Sequence, residues 1–283
     1  MTVGISFRAV PGYFGGYEKE GAGPVDSLEV DHLKIIRDLV LPRDTETRSY
    51  KLFVIGRHGQ GYHNAAIERY GQEEWDAYWA KLDGDEYGDW VDSRLTPLGK
   101  KQVGETGALH LEPLTKKLGG LPDLFFSSPM RRCLETFAES WKPAFSRDKR
   151  ETVEVRIIEN LRETLGEHPC DRRVAHSETV AEYQNYKYND LDTTISWLYP
   201  EDYPEEDQLW TADHRETDNE IDERIGNGLQ ELFKQVQPNQ RFLSLTCHSG
   251  VIASVLRNLD HPAIKNLQTG KLVYTVVEIE KTA

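Results

Sequence analysis

The chain has 283 residues, of which 38% are hydrophobic and 29% charged, so it is long enough for one large core and too mixed in charge to be disordered. Its net charge of −14 argues against nonspecific binding to nucleic acids or to anionic membranes. No apolar stretch approaches the roughly 18 residues of a membrane span, and the N-terminus does not resemble a signal peptide. Three well-separated cysteines without a CxxC pair favour a reducing compartment, so we expect a cytoplasmic protein, with the nucleus left open.

The first 50 residues are predicted to form an N-terminal arm and a helix. Residues 1–30 are rich in glycine and aromatic residues, which is typical of a segment that wraps around a folded domain. Asp26 and Ser27 can cap a helix that continues to Leu39, because apolar residues follow them with helical spacing. The arm leaves open a contact with a partner or with a second copy of the chain, so a homodimer is one expectation.

Short apolar runs alternate with helical patterns along the rest of the chain. Runs rich in branched and aromatic residues predict buried strands at residues 51–56, 124–128, 152–158, 241–248 and 272–279. Apolar residues with helical spacing predict helices at residues 97–118, 130–145, 219–236 and 251–259. Since strand and helix alternate, the sequence predicts an α/β fold with a mostly parallel central sheet flanked by helices.

Two long segments, at about residues 60–95 and 164–218, interrupt this alternation. They follow the first and third predicted strands, so we expect them to lie over the carboxyl edge of the sheet, where ligands bind in open α/β folds. Loops of this length in a compact domain usually carry a function or a local structure of their own. We therefore predict one domain over residues 51–283, with these two segments as lid insertions.

A charged pair, Arg57 and His58, comes directly after the first predicted strand, followed by Gly59. Charge at the end of a buried strand is costly unless it is paired or used. Unprotonated imidazole is a nucleophile that can be phosphorylated on nitrogen, and a guanidinium group matches the geometry of phosphate oxygens. A salt-bridged structural histidine at a strand end would also explain these three residues.

The second predicted strand is followed by Ser128, Pro129 and two arginines, Arg131 and Arg132. Pro129 can begin a helix with Ser128 as its N-cap, which places both arginines in the first helical turn. Basic residues are disfavoured at this positive end of the helix dipole unless an anion joins them. This arrangement favours a phosphate site, although two solvated arginines would also explain it.

Chemically active residues also follow the third and fourth predicted strands, namely Glu163 and His248. In a parallel sheet the four strand ends meet at one edge. Together they supply a nucleophile, anion-binding guanidinium groups and a proton donor, which are the parts that phosphoryl transfer requires.

The motifs RHG, SPMRRCLET, LRE and HSG, in this order, resemble the histidine phosphatase superfamily with its phosphoglycerate mutase-like fold. The segments RHGQGYHNAA and LRETLGEHPCDRR are similar to the fungal phosphomutase-like phosphatases. The resemblance covers about residues 50–280. It implies a three-layer sandwich and a metal-independent phosphomonoesterase without a cofactor, which acts on a small phosphate ester through a phosphohistidine.

The resemblance also implies roles for individual residues. His58 matches the nucleophile, Arg57 and Arg132 match the arginines that hold the phosphoryl oxygens, and Arg131 does not match. His248 matches the second histidine, which contacts the phosphate and stabilises the transition state. A phosphoglycerate-type mutase, or a catalytically weak member that binds a partner, remains an alternative.

Further residues are expected to act on the leaving group or to bind the substrate. Glu163 matches the carboxylate that protonates the leaving oxygen and later activates water, and Asn64 matches a polar phosphate contact. Gln60 and His63 depart from the pattern of mutase-like members and are expected beside the substrate. The arginines of the long insertion, Arg172 and Arg173, are expected to bind a second acidic group of the substrate, although such loop charges are usually only solvated. No motif of a metal site is present, so we expect no metal.

Overall fold

The computed structural model describes residues 4–14, 37–38, 44–265 and 267–282. The helix predicted after Asp26 and Ser27 lies outside these residues, except for positions 37–38, which are helical. None of the described helices is long and apolar enough to cross a membrane.

A large, mostly parallel sheet organises the described residues. Its strands, with a separate hairpin of β3 and β4, are β1 Gly4–Ala9, β2 Arg48–Arg57, β3 Gly84–Asp85, β4 Gly88–Asp89, β5 Leu124–Ser127, β6 Thr152–Ile157, β7 Tyr186–Lys187, β8 Thr194–Leu198, β9 Phe242–Cys247 and β10 Leu272–Thr282. The order across the sheet is β1-β10-β2-β9-β5-β6-β8-β7. Strands β2, β9, β5, β6 and β8 run parallel, whereas β1, β10 and β7 pair antiparallel at the two margins.

Helices cover both faces of this sheet. They are α1 Tyr62–Tyr70, α2 Gln72–Ala77, α3 Pro97–Thr106, α4 Glu112–Leu118, α5 Arg131–Asp148, α6 His176–Tyr183, α7 Asp218–Lys234 and α8 Ser249–Asn258. A π-helical turn, Gly107–Leu111, joins α3 to α4, so the helix predicted over residues 97–118 is confirmed. Thr96 caps α3 before Pro97, and Thr217 and Glu220 form a capping box at the start of α7.

Successive residues of β2 enter two separate cores, which shows that the sheet is buried on both faces. Val54 packs into a cluster with residues of α5 such as Phe137 and Trp141. Phe53 packs into a second cluster with Leu229 of α7 and with residues of α8. A side chain every second residue on each face is the pattern of a strand between two helical layers. The predicted three-layer α/β sandwich is confirmed.

Among the strands that were not predicted from the sequence, two change the description of the arm and of the second insertion. Gly4–Ala9, within the predicted arm, pairs antiparallel with β10 and forms the margin of the main sheet. Thr194–Leu198, within the second insertion, adds a parallel strand beside β6. The arm is therefore in part an integral strand, and part of the second insertion extends the sheet instead of lying above it.

The first insertion forms a small aromatic core of its own. The ring centroids of Trp75 and Trp90 lie 5.0 Å apart. These rings pack with Ala66 and Ala80 of the same insertion and with Cys170 of the second insertion. Burial of these rings holds α1, α2 and the β3–β4 hairpin in place over the carboxyl end of the sheet.

Candidate active site

The ends of β2 and β9 place two histidines side by side. Arg57 pairs with Cys247 in the parallel register, so His58 and His248 are the next residues on each strand. Their ring centroids are 5.1 Å apart. The next residue after His58 is Gly59, where a side chain has no room. A Cβ there would lie 2.6 Å from the carbonyl oxygen of Gly99.

The imidazole of His58 is held in one tautomer. Its Nδ1 lies 2.7 Å from the carbonyl oxygen of Gly59, which can only accept, so Nδ1 carries the hydrogen and Nε2 carries the lone pair. Burial lowers the pKa of His58 well below its usual value, and the charges of Arg132 and Arg57 lower it further. The ring is therefore neutral near pH 7 and presents Nε2 as a nucleophile.

An open pocket with a cavity volume of about 360 Å³ lies at this edge of the sheet. It is lined by residues from the end of β2, from α1, from the loop after β6 and from the start of α8, including Arg57, His58, His63, Asn64, Glu163, His168, Asp171, Arg215, Ser249 and Gly250. Both insertions contribute to the wall. The chain thus brings the expected nucleophile, carboxylate and one expected arginine to one cavity.

Two buried nitrogen atoms in the pocket wall have no hydrogen-bond partner among the described residues. They are Nε of Arg57 and Nδ1 of His63. The ring of His63 lies 5.7 Å from that of His58, and a Cβ on Gly61 would come within 2.8 Å of it, so the chain makes room for this ring. Burial lowers the pKa of His63 well below its usual value. Unpaired buried polar groups cost about 1–3 kcal/mol each, which a bound anion can offset at Arg57.

Arg132 and His248 form a layer behind the pocket. Both are fully buried, and neither lines the cavity. Arg132 donates from Nη1 to the carbonyl oxygen of Cys170 at 2.7 Å, from Nη2 to Asp171 at 3.1 Å and from Nε to Nδ1 of His248 at 3.2 Å. His248 accepts at Nδ1, so its Nε2 carries the hydrogen and donates to Ser128 at 2.8 Å. The structure therefore brings both residues to His58 without direct exposure to the pocket.

The start of α5 differs from the expectation. The helix begins at Arg131 with Met130 as its N-cap residue, and Ser128 accepts from His248 instead of capping the helix. Arg131 points away from the pocket, where its side chain pairs with Glu178 at 3.2 Å. The charge of each first-turn arginine is thus matched by a carboxylate of the protein. Arg132, and not Arg131, therefore contacts His248.

Glu163 lies in the pocket wall after β6, as expected. Its carboxylate accepts from the backbone N–H of Thr164 at 3.0 Å, from that of Gly250 at 3.2 Å and from the hydroxyl of Ser249 at 3.4 Å. A Cβ on Gly250 would lie 2.2 Å from Oε1, so glycine is required for this approach. The first turn of α8 therefore fixes the carboxylate beside the nucleophile.

Comparison with known proteins identifies the family. Residues 57–282 match the family described as the histidine phosphatase superfamily, branch 1. The chain belongs to this superfamily. It is 57% identical over 97% of its length to the probable phosphoglycerate mutase PMU1 of Saccharomyces cerevisiae, of which 97% is covered. It is 32% identical over 98% of its length to a probable phosphoglycerate mutase of Arthroderma benhamiae, of which 85% is covered.

Comparison with solved structures finds matches at low sequence identity. A mycobacterial glucosyl-3-phosphoglycerate phosphatase matches with 18% identity and a TM-score of 0.44, over 80% of this chain and 90% of that one. Family membership makes the chain an enzyme of the phosphatase or mutase type.

Of the three other residues near His58 that were expected to bind the substrate, two line the pocket and one does not. Asn64 and His63 line the pocket, and Asn64 also accepts from the backbone N–H of Gly61 at 2.9 Å. Gln60 does not line it, because its amide donates to Glu68 at 2.8 Å and accepts from Thr96 at 2.7 Å. The side chain of Gln60 thus holds α1 against α3.

The structure does not bring the two arginines of the second insertion to the pocket. Arg173 is buried and donates to Glu159 and to the backbone carbonyls of Pro204, Glu205 and Glu206. The guanidinium N–H groups of Arg173 are therefore used in hydrogen bonds that stabilise the insertion. Arg172 is partly exposed outside the pocket lining, where it pairs with Asp83 at 3.5 Å. These positions correct the expectation that both arginines bind the substrate.

A different arginine, Arg215, lines the pocket, and no pattern in the mixed polar segment before α7 predicted it. It pairs with one carboxylate oxygen of Asp171 at 2.9 Å, while Arg132 pairs with the other. Asp171 therefore links the layer behind the pocket to the pocket wall.

One group of side chains in the described residues has the spacing of metal ligands, namely His168, Cys170 and Asp171. Both oxygens of Asp171 already bind arginines, and burial raises the pKa of the Cys170 thiol well above its usual value. The positive neighbours and the protonated thiol suit an anion in this part of the pocket better than a cation.

Proposed function

We propose that the chain is a phosphomonoesterase that hydrolyses a small organic phosphate through a phosphohistidine at His58. The observation that supports this most directly is the state of His58. It is buried, neutral and held with Nε2 as its nucleophilic atom, at the wall of a pocket that contains Arg57 and Glu163.

In the first step, Nε2 of His58 forms a bond to phosphorus as the bond from phosphorus to the leaving oxygen breaks. Glu163, in its acid form, gives its proton to that oxygen. The guanidinium group of Arg57, which lines the pocket, binds the equatorial oxygens, and the buried charge of Arg132 adds to the positive potential.

In the second step, water attacks phosphorus as the nitrogen–phosphorus bond breaks. Glu163 accepts the proton of the water, and His58 returns as a neutral imidazole. Arginines and histidines supply the charge stabilisation in this scheme, so we propose no metal and no cofactor. The proposal also includes a direct contact of His248 with the phosphoryl group, which requires its Nε2–H to leave Ser128 and turn towards the substrate.

A phosphoglycerate-type mutase would share the first step and differ in the acceptor, which would be a second hydroxyl group instead of water. The names of the relatives favour this alternative, whereas the open pocket favours access of water. Isomerisation of 3-phosphoglycerate measured against release of free phosphate separates the two.

The proposed partner is a small phosphate ester, with no role for nucleic acid or membrane. Since the three cysteines are free and buried, the chain fits a reducing compartment such as the cytoplasm.

The test is to trap the intermediate with a substrate that carries labelled phosphate. Wild-type protein is expected to acquire a label that survives alkali and is lost in acid, and His58→Ala to acquire none and to lose turnover by at least about a thousandfold. His261→Ala is the matched control, because the Nδ1 of this buried histidine also bonds a neighbouring carbonyl, at 2.8 Å, outside the pocket. Normal turnover in a folded His58→Ala protein would overturn the proposal.

A further inference from the structure

Arg215 is anchored in the pocket wall through one nitrogen only. Its Nη1 donates to the carbonyl oxygens of Thr164 and Gly166, both at 2.8 Å, and to Asp171 at 2.9 Å. Because this nitrogen carries two hydrogens, the three acceptors use its full donor capacity. The guanidinium plane is therefore fixed while its other nitrogens remain available.

The other two nitrogens of Arg215, Nε and Nη2, make no hydrogen bond within the part of the chain that the structure describes. They are not among the solvent-inaccessible atoms, and the side chain is 29% exposed. Nε and Nη2 form the side of a guanidinium group whose parallel N–H bonds match a carboxylate or a phosphate. This free pair of donors lies on a residue that lines the cavity.

A glycine allows the loop that anchors Arg215 to pack closely against the segment before α7. Gly166 has a φ of +90°, and a Cβ there would lie 1.6 Å from the carbonyl oxygen of His214. Only glycine lets the loop approach the segment before α7 this closely. The close approach allows Nη1 to reach the carbonyl oxygens of Thr164 and Gly166.

The ion pairs of Arg215 with its neighbours leave an excess of positive charge in the pocket wall. Asp171 is shared between Arg132 and Arg215, so the three side chains together carry one positive charge. His168, which also lines this part of the pocket, makes no side-chain hydrogen bond within the described residues. In a chain with a net charge of −14, these three side chains form a locally positive group in a pocket that the carboxylates of Glu163 and Asp76 also line.

The position of Arg215 relative to Glu163 indicates which part of the substrate it meets. Nη1 bonds the carbonyl of Thr164, the residue after Glu163. In the proposed reaction Glu163 protonates the leaving oxygen, so this wall faces the leaving group. We propose that Nε and Nη2 of Arg215 bind a second acidic group, a carboxylate or a second phosphate, on the alcohol portion of the ester. This inference rests on the proposed phosphatase activity.

Three esters with one three-carbon skeleton test the proposal: glycerol 3-phosphate, 3-phosphoglycerate and glycerol 1,3-bisphosphate. They carry a hydroxymethyl group, a carboxylate and a second phosphate at the same carbon. Each is measured as a substrate and as a competitor of p-nitrophenyl phosphate. At least one of the two acidic esters is expected to exceed glycerol 3-phosphate by about 10- to 100-fold in kcat/KM or in apparent affinity, and the better one identifies the acidic group.

The Arg215→Gln variant is expected to lower this preference at least about tenfold, and Arg215→Lys is expected to be intermediate because lysine keeps the charge without the planar pair of donors. Arg147→Gln should keep the wild-type preference. Arg147 is the matched control, since it is 30% exposed and pairs with Glu112 far from the pocket lining. Thermal melts followed by circular dichroism verify that each variant is folded.

The outcomes separate the two proposals. If wild-type protein hydrolyses none of the esters, including p-nitrophenyl phosphate, the phosphatase proposal fails and the inference about Arg215 fails with it. If p-nitrophenyl phosphate is hydrolysed but wild type shows no preference for acidic esters, or Arg215→Gln retains that preference, the anion subsite is wrong and the phosphatase proposal stands.

Discussion

The strand ends and the second insertion contribute to the same pocket in different ways. Backbone pairing between β2 and β9 fixes His58 and His248, and these positions follow directly from the register of the sheet. The insertion is held by buried ion pairs, such as that of Arg162 with Asp207 at 2.7 Å. The sheet therefore positions the reacting groups, whereas side-chain pairing positions the wall that selects the substrate.

Asp171 is where these two regions meet. It belongs to the insertion, yet it is the carboxylate partner of Arg132, which follows β5 at the edge of the sheet. Because Arg132 is fully buried, removal of Asp171 leaves its charge without an ion-pair partner in a low-dielectric site, whereas removal of Arg132 leaves Asp171 paired with Arg215 alone. The catalytic layer and the substrate wall are thus coupled through one carboxylate, and the following experiments test that coupling.

Replacement of Arg132 is expected to have the largest effect. Arg132→Ala removes one of the two arginine partners of Asp171 and the donor to Nδ1 of His248, so it should lower kcat/KM by about 10²–10³-fold and, through the cavity and the weakened ion pair, the free energy of unfolding by about 2–5 kcal/mol. Arg131→Ala is the neighbouring control, since its pairs with Glu178 and Glu182 lie away from the pocket. Steady-state kinetics and urea denaturation measure both effects. A rate loss confined to Arg131→Ala would contradict the assignment.

The Glu163→Gln substitution separates proton transfer from positioning. The amide keeps the shape of the carboxylate but cannot donate an acidic proton to the leaving oxygen. For an alkyl phosphate kcat should fall by about 10²–10³-fold, and for p-nitrophenyl phosphate, whose leaving group needs no protonation, by much less. Equal losses for both esters would show that Glu163 acts only by binding.

Acid should destabilise the folded chain through the three buried histidines at the pocket. Burial lowers the pKa of His58, His63 and His248 well below 6.5, so the folded chain excludes protons that the unfolded chain binds. Their contribution to stability is complete above pH 6.5 and is lost as the pH falls from there towards their folded pKa values. Between pH 6.5 and 5.5 the loss is at most about 1 kcal/mol for each, or about 3 kcal/mol together.

Urea denaturation at several pH values measures this loss of stability. His63→Gln should remove about one third of the acid sensitivity. Stability that is independent of pH over this range would show that the three buried histidines take up protons in the folded state.

The sequence could predict the elements whose patterns are local. Four strand ends with their reactive residues were found because buried parallel strands are continuous apolar runs and share one edge. Glu163 and His58 therefore lie where they were expected. The helices were also predicted, since apolar spacing of the kind seen in α7 depends on the helix itself.

The remaining features depend on contacts between distant segments. The strand Thr194–Leu198 is short, and only its pairing with β6 makes it part of the sheet. No local sequence pattern distinguishes the three arginines Arg172, Arg173 and Arg215. Only the folded structure of the insertion determines that Arg215 lines the pocket. Ser128 matched the pattern of a helix cap, but the neighbouring His248 takes its hydroxyl.

The three cysteines of the chain provide a built-in reporter of this region. Cys133 lies 3.5 Å from Nε2 of His248, Cys247 precedes that histidine, and the carbonyl of Cys170 accepts from Arg132. All three thiols are buried, so an alkylating reagent can reach them only when the surrounding structure opens. The rate at which the thiols are labelled in the native state therefore measures how often the structure at the base of the pocket opens. A tightly bound anion should slow the labelling of all three cysteines.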